Sequence, residues 1–203
     1  MPTLDPDKLS KLQRHQLMIG SIVPRPIAWV TTLGETGVVN LAPFSYFMGV
    51  GSSPPTLAIS IGARTPAKDT LVNLRQRGEG VVHIVPPDHM DTVNQTGAEY
   101  PSDVSEVEQL GLETIPSVRI KPPRLAVAEV ALESRLIHEV HVGSPGSTIC
   151  VLEVLLAHVS DEVARDDGLP DPRKLRGIAR LGERFYLAAH DWAIEEKELG
   201  TVT

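Results

Sequence analysis

One cysteine, Cys150, is all the 203-residue chain has. That excludes an intrachain disulfide and leaves no thiolate spacing for a zinc site. Set in the apolar run STICVLEVLLAHV, it reads as a buried structural thiol rather than a nucleophile. Positive charge is in deficit, with 19 Lys and Arg against 26 Asp and Glu and a formal charge of −7. This argues against sequence-independent nucleic-acid binding, which relies on clustered cations neutralising phosphates. No apolar run approaches the roughly 18 residues that a bilayer-spanning helix needs. The opening MPTLDPDKLSKLQRHQ carries no signal-peptide stretch. The expectation is a cytoplasmic protein with neither a nucleic-acid nor a membrane partner.

Motifs are missing too. There is no GxSxG elbow, no Walker A loop and no GxGxxG fingerprint, which removes the motif-based cases for an α/β-hydrolase, a P-loop NTPase and a dinucleotide-binding Rossmann domain. HEVH at His138 to His141 suggests a metal pair, but residues three apart on a strand point to opposite faces, so no metal site is expected. His83 and His158 read as core or barrel-facing groups.

What is there is an ordinary globular composition, 41% hydrophobic and 22% charged. Without an internal repeat or a composition break, residues 1–203 read as one domain, with its core at about 20–190 and a charged C-terminal tail, WAIEEKELGTVT, expected to be solvated, with docking on a partner subunit as the alternative. IAWVTT and VVNLAPF flank the LGETG turn as a hairpin, TLAISIG is a third strand and GVVHIV a fourth. TPAKDTLVNLRQRG reads as a helix capped by Asp69 or Thr65 and stopped by Gly78. PPDHMDTVNQTG reads as a short helix with Asp88 as N-cap and Gly97 as stop. A long surface excursion follows, with one helical stretch around Val104 to Leu110. Two long strands then form a ribbon around GSPGS. In the first, Val130, Leu132, Leu136, Val140 and Val142 share one parity, and Glu133, Arg135, Glu139 and His141 the wet one. This order does not fit βαβα alternation and suits an antiparallel barrel with helices outside it, a mainly β fold with flanking helices.

The sharpest local arrangement is SIGARTPAKDTLVNL. A strand ends at Gly62, and Arg64, Thr65 and Lys68 precede a helix opening near Asp69 and Thr70. Free N–H groups at a helix start beside a hydroxyl and two cations suit a phosphate. From this segment alone, a capped helix with solvated cations is an equal reading. The opening hairpin delivers Thr31, Thr32, Asn40, Ser45 and Tyr46 near the ends of adjacent strands, the mix of apolar wall and polar edge that holds a flat heteroaromatic ring.

PRPIAWVTT, NLAPFSYF, PPTLAISIG, KDTLVNLR, NQTGAEYP and IARLGERFY, in that order over roughly Gly20 to Tyr186, resemble the flavin reductase-like family of FMN-binding split barrels, which includes flavoredoxin. The resemblance implies a six-stranded antiparallel split β-barrel, a homodimer with FMN near its interface, and transfer of reducing equivalents from NADH or NADPH to flavin, or through bound FMN to an acceptor such as a partner monooxygenase. A flavin carrier without nicotinamide turnover is the alternative. Carried over by position, Thr31, Thr32, Asn40, Ala42, Ser45 and Tyr46 would line the ring and ribityl chain. Arg64, Lys68, Asp69 and Thr70 would hold the phosphate with Ser60 and Gly62 close by. Asn94, Thr96, Glu99 and Tyr100 would border the ring or substrate, and Arg180 and Tyr186 would close over the cofactor. Flavin does the hydride chemistry, so no dedicated catalytic acid or base is expected. Two departures stand out: Gly97 where family members often carry serine, and Glu183 where they often carry a second glycine.

Overall fold

The computed structural model describes residues 1–183 and 185–188; the tail expected to be solvated lies outside them. Its main feature is one antiparallel sheet of seven strands. They are β1 Ala28–Leu33, β2 Val39–Phe44, β3 Phe47–Ser52, β4 Pro55–Gly62, β5 Glu79–Ile84, β6 Val130–Gly143 and β7 Gly146–Val159. The order across the sheet is β2-β1-β5-β6-β7-β4-β3. β2 and β3 are therefore opposite edges, yet only Ser45 and Tyr46 separate them in the chain. The sheet has to curl until its edges meet at that corner, which the Ser60 N–H secures by donating to Tyr46 O at 2.9 Å.

The split-barrel class holds, but with seven strands rather than six. The extra one is β3, FMGVGS, which is almost wholly exposed, has two glycines and carries a register shift between Gly49 and Gly51. An edge strand without a buried face has no alternation to betray it.

β1 is buried on both sides. Ala28 and Val30 join Phe44, Ile59, Leu74, Val82, Cys150 and Leu152 inside the barrel, while Ile27 and Trp29 join Leu41, Val93, Val107 and Ile178 outside it. Cys150 is fully buried, and burial pushes its thiol up to about 12, so the structural reading of this residue stands.

The single parity expected along β6 fails. Leu136 faces Leu152 and His138 faces Val151, so Ile137 is an inserted bulge residue, and Leu155 is inserted on the other strand. Beyond the bulge the faces exchange: Val140 and Val142 are exposed, and Glu139 turns to the barrel side, where Arg75 holds it at 2.8 Å. Glu133, expected to be wet, is fully buried, because the 116–121 segment covers its face and donates Val118 N–H and Arg119 N–H to it at 2.8 and 2.7 Å.

Helix α1, Lys11–Ser21, is an addition to the sequence reading. It opens with a capping box in which Ser10 and Gln13 bond each other's backbone. Helix α2, Asp69–Arg77, ends on Gly78 in the left-handed region at φ 71°, as expected, and buries Leu71 and Leu74. Its N-cap is Lys68, which makes no side-chain cap bond, so neither Asp69 nor Thr65 caps it. Helix α3, Met90–Gln95, follows a 3-10 turn at Pro87–His89 that absorbs Asp88, and it ends at Thr96. Helix α4, Glu106–Gln109, is capped by Ser105. Among the described residues no helix is long and apolar enough to cross a membrane.

Candidate functional site

The corner that closes the barrel, the end of β4 and the start of α2 converge. At the start of α2 lies a cavity of about 100 Å³ walled by Asn40, Ala42, Arg64, Lys68, Asp69 and Thr70 on one side and Thr96, Glu99 and Tyr100 on the other. Beside it a cavity of about 360 Å³ is bounded by Ser45, Tyr46, Ser60, Gly62 and again Lys68. Lys68 stands at the join. Most of the residues singled out in the sequence are thus brought to two adjoining hollows.

Thr31 and Thr32 are the exception within the hairpin. Both are fully buried and reach neither cavity. Thr31 donates its hydroxyl to Pro123 O at 2.7 Å, while Thr32 accepts from Asn40 Nδ2 at 3.2 Å and Asn73 Nδ2 at 3.0 Å. Asn40 also donates to Thr70 Oγ1 at 2.9 Å. Thr32 is therefore the floor that sets Asn40 and Thr70 in place. Thr96 borders the cavity, but its hydroxyl is committed, accepting from Trp29 Nε1 at 2.8 Å and donating to Val93 O.

Asn94, Arg180 and Tyr186 meet one another instead. Tyr186 donates to Asn94 Oδ1 at 2.9 Å, and the Arg180 guanidinium lies 4.7 Å from the Tyr186 ring centre. They line neither cavity.

The cavity lining sets two cations, Arg64 and Lys68, against three carboxyl groups, Asp69, Glu99 and Glu106, and the feature that favours an anion is the helix start. α2 presents a start that no side chain among the described residues caps, with Thr70 in its first turn. Burial, followed by the charge of Arg64, lowers the Lys68 pKa, while Glu99 opposes the shift. Lys68 Nζ also lies 5.7 Å from the Phe44 ring centre. Also in the cavity lining, Glu106 accepts the Leu41 N–H at 2.9 Å, and burial pushes its carboxyl above the ordinary range.

Three contributors escaped the sequence reading. His15 of α1 reaches the larger cavity, and the Ser10–Gln13 capping box was the signal for its helix. Arg25, buried between two prolines, donates to Ile19 O, Ile22 O and Leu181 O at 2.6 to 2.7 Å and lies 5.9 Å from the Tyr46 ring centre. It ties α1 and the 178–183 segment to the corner. Glu106 lies in the helix expected around Val104 to Leu110, but nothing in that stretch marked it for the site. His138 and His141 sit opposite Val151 and Thr148, on opposite faces of β6 as expected.

A family model for the flavin reductase like domain matches residues 19–179. The chain belongs to the flavin reductase-like family. It is 37% identical over 190 residues to an uncharacterized protein of Halalkalibacterium halodurans, covering 90% of each. Among solved structures it is similar to nitrilotriacetate monooxygenase component B of Bacillus cereus, at 31% identity, TM-score 0.90 and 98% coverage of both chains. It is also similar to the 2-nitrobenzoate 2-nitroreductase of Pseudomonas fluorescens, at 26% identity, TM-score 0.89, 100% coverage of this chain and 99% of that one.

Within this flavin reductase-like chain, both departures have structural consequences. A Cβ at Gly97 would come within 3.1 Å of Asn94 O, so a serine requires the end of α3 to shift. Glu183 has φ 52°, the left-handed conformation that glycine adopts without penalty.

Proposed function

We propose that this chain binds FMN non-covalently and acts in the cytoplasm as a flavin reductase-type oxidoreductase, passing reducing equivalents from NADH or NADPH to flavin or through bound FMN to an acceptor. The observation that carries this reading is the uncapped α2 start, with Arg64, Lys68 and Thr70 around it, opening beside the larger hollow at Ser45, Tyr46 and Ser60. A phosphate monoester suits the first and a flat ring with polar edges the second. Bound FMN supplies hydride and electron transfer. Lys68 and Arg64 neutralise the phosphate charge, Thr70 and the first N–H groups of α2 bond its oxygens, and Asn40 holds Thr70. Ala42, Ser45, Tyr46, Ser60 and Gly62 orient the ring and its chain, with Asp69 and Tyr100 at the rim. Asn94, Arg180 and Tyr186 form an outer brace.

The chain works as a homodimer in this reading. Met48, Val50, Val140 and Val142 are exposed on the outer side of the sheet, where Val140 faces Ile149 and Met48 faces Ala58. On the same side, Ile22, Pro24, Phe47 and Ile149 line a cavity of about 400 Å³. An apolar surface of this kind marks an association site. Similarity to a monooxygenase component supports an oxygenase as acceptor.

The test is a visible-absorption titration of the purified protein with FMN, followed by anaerobic mixing with NADH and NADPH. An FMN complex whose oxidised band bleaches supports the enzyme. A complex that neither nucleotide bleaches supports the carrier, and a protein that ignores FMN removes both.

A further inference from the structure

An ion pair bridges the smaller cavity: Arg64 Nη1 lies 3.1 Å from Glu99 Oε1. Its partners differ in freedom. The Arg64 side chain is 26% exposed and donates from Nε to Pro66 O at 3.3 Å, whereas the Glu99 side chain is 77% exposed. An exposed pair of this kind is weak and salt-screened, and separating it lets Glu99 swing into water while Arg64 keeps facing the cavity. Lys68 stands on the same wall, and of the three carboxyl groups in the lining, Asp69, Glu99 and Glu106, it is Glu99 that pairs directly with Arg64. At about 100 Å³, against the roughly 10–15 Å³ that a cavity needs to hold one water, the cavity has room for a phosphoryl-sized group.

We propose that Glu99 is a displaceable counter-ion, holding Arg64 until the phosphate monoester of the ligand takes its place. The ligand's identity rests on the FMN reading above; the response to anions rests on the ion pair alone. Glu99 is then a selectivity residue and makes no bond to the cofactor. It sets a cost that a dianion overcomes by replacing it on Arg64 and that an uncharged ring never meets.

The test compares wild type with Glu99→Gln by calorimetric titration with FMN, riboflavin and inorganic phosphate. At low salt the variant is expected to bind FMN and phosphate about threefold more tightly, the scale of an exposed ion pair, with riboflavin unchanged. The gain disappears in an Arg64→Gln background and at about 0.5 M salt. Weaker FMN and phosphate binding in Glu99→Gln, or an equal gain for riboflavin, overturns the counter-ion role. FMN binding that is indifferent to Glu99 overturns it and leaves the flavin reading standing. The expected phosphate response without FMN binding in either protein upholds it and removes the flavin reading.

Discussion

Glu133 and Glu106 are both glutamates removed from water, 0% and 6% exposed, and their environments treat them oppositely. At Glu133 burial opposes ionisation, but two backbone N–H groups and His158 Nε2 at 2.7 Å outweigh it and hold the carboxyl below its ordinary range. Glu106 has the Leu41 N–H and its own amide, with Asp69 nearby, and burial wins. At Glu133 the donors outweigh burial and at Glu106 they do not. Glu133 locks the 116–121 segment over the outer face of β6, away from these two cavities, and Glu106 lines the smaller cavity at the start of α2. One region is saturated with bonds; in the other the carboxyl has too few donors to offset its burial.

Breaking the saturated region has the largest expected effect. Glu133→Ala leaves the Val118 and Arg119 N–H groups and His158 without their fully buried acceptor and is expected to cost about 3 kcal/mol in urea unfolding, with FMN affinity unchanged once the protein is folded. A loss below about 1 kcal/mol would erase the contrast with Glu106. The reverse pattern is expected of Lys68→Ala. FMN binding weakens by about 2 kcal/mol, roughly 30-fold, the scale of a charged hydrogen bond. Riboflavin and the unfolding midpoint barely move.

The pH dependences separate the two carboxylates more finely. The lowered pKa of Glu133 contributes stability that is complete above its ordinary value of 4.5 and is lost as pH falls through the folded value. The raised pKa of Glu106 contributes stability that is complete below 4.5 and is lost as pH rises through its folded value. Glu106→Gln, which keeps an acceptor for Leu41, is therefore expected to gain stability relative to wild type between pH 4 and pH 7. Unfolding curves at the two pH values measure it, and a flat difference contradicts the assignment. The smallest effect is at Glu183: Glu183→Gly removes a left-handed non-glycine residue and is expected to stabilise by roughly 0.5–1 kcal/mol, less than the full conformational penalty because glycine is freer when unfolded.

The hairpin, the β4–α2 turn and the long ribbon were legible because alternation, glycine turns and cap positions are local. The anion cradle was half legible: Arg64 and Lys68 could be seen, but whether Asp69 capped the helix is a matter of φ and ψ at Lys68. What stayed hidden was set at a distance. Ile137 exchanges the faces of β6 through a bulge that composition does not mark. Thr31 and Thr32 look like lining residues until Pro123 and Asn73, 92 and 41 positions away, claim their hydroxyls. Glu133 was assigned to water because the segment that covers it lies 14 and 15 residues earlier in the chain.

The most direct measurement of the central claim is a paired titration of wild type and Lys68→Ala with FMN and riboflavin. The expected result is FMN bound at least about tenfold more tightly than riboflavin by wild type, a margin of one charged hydrogen bond or more, with most of that margin gone in the variant. Equal affinity for the two flavins in wild type, or an FMN margin untouched by loss of Lys68, would contradict a phosphate cradle at the start of α2.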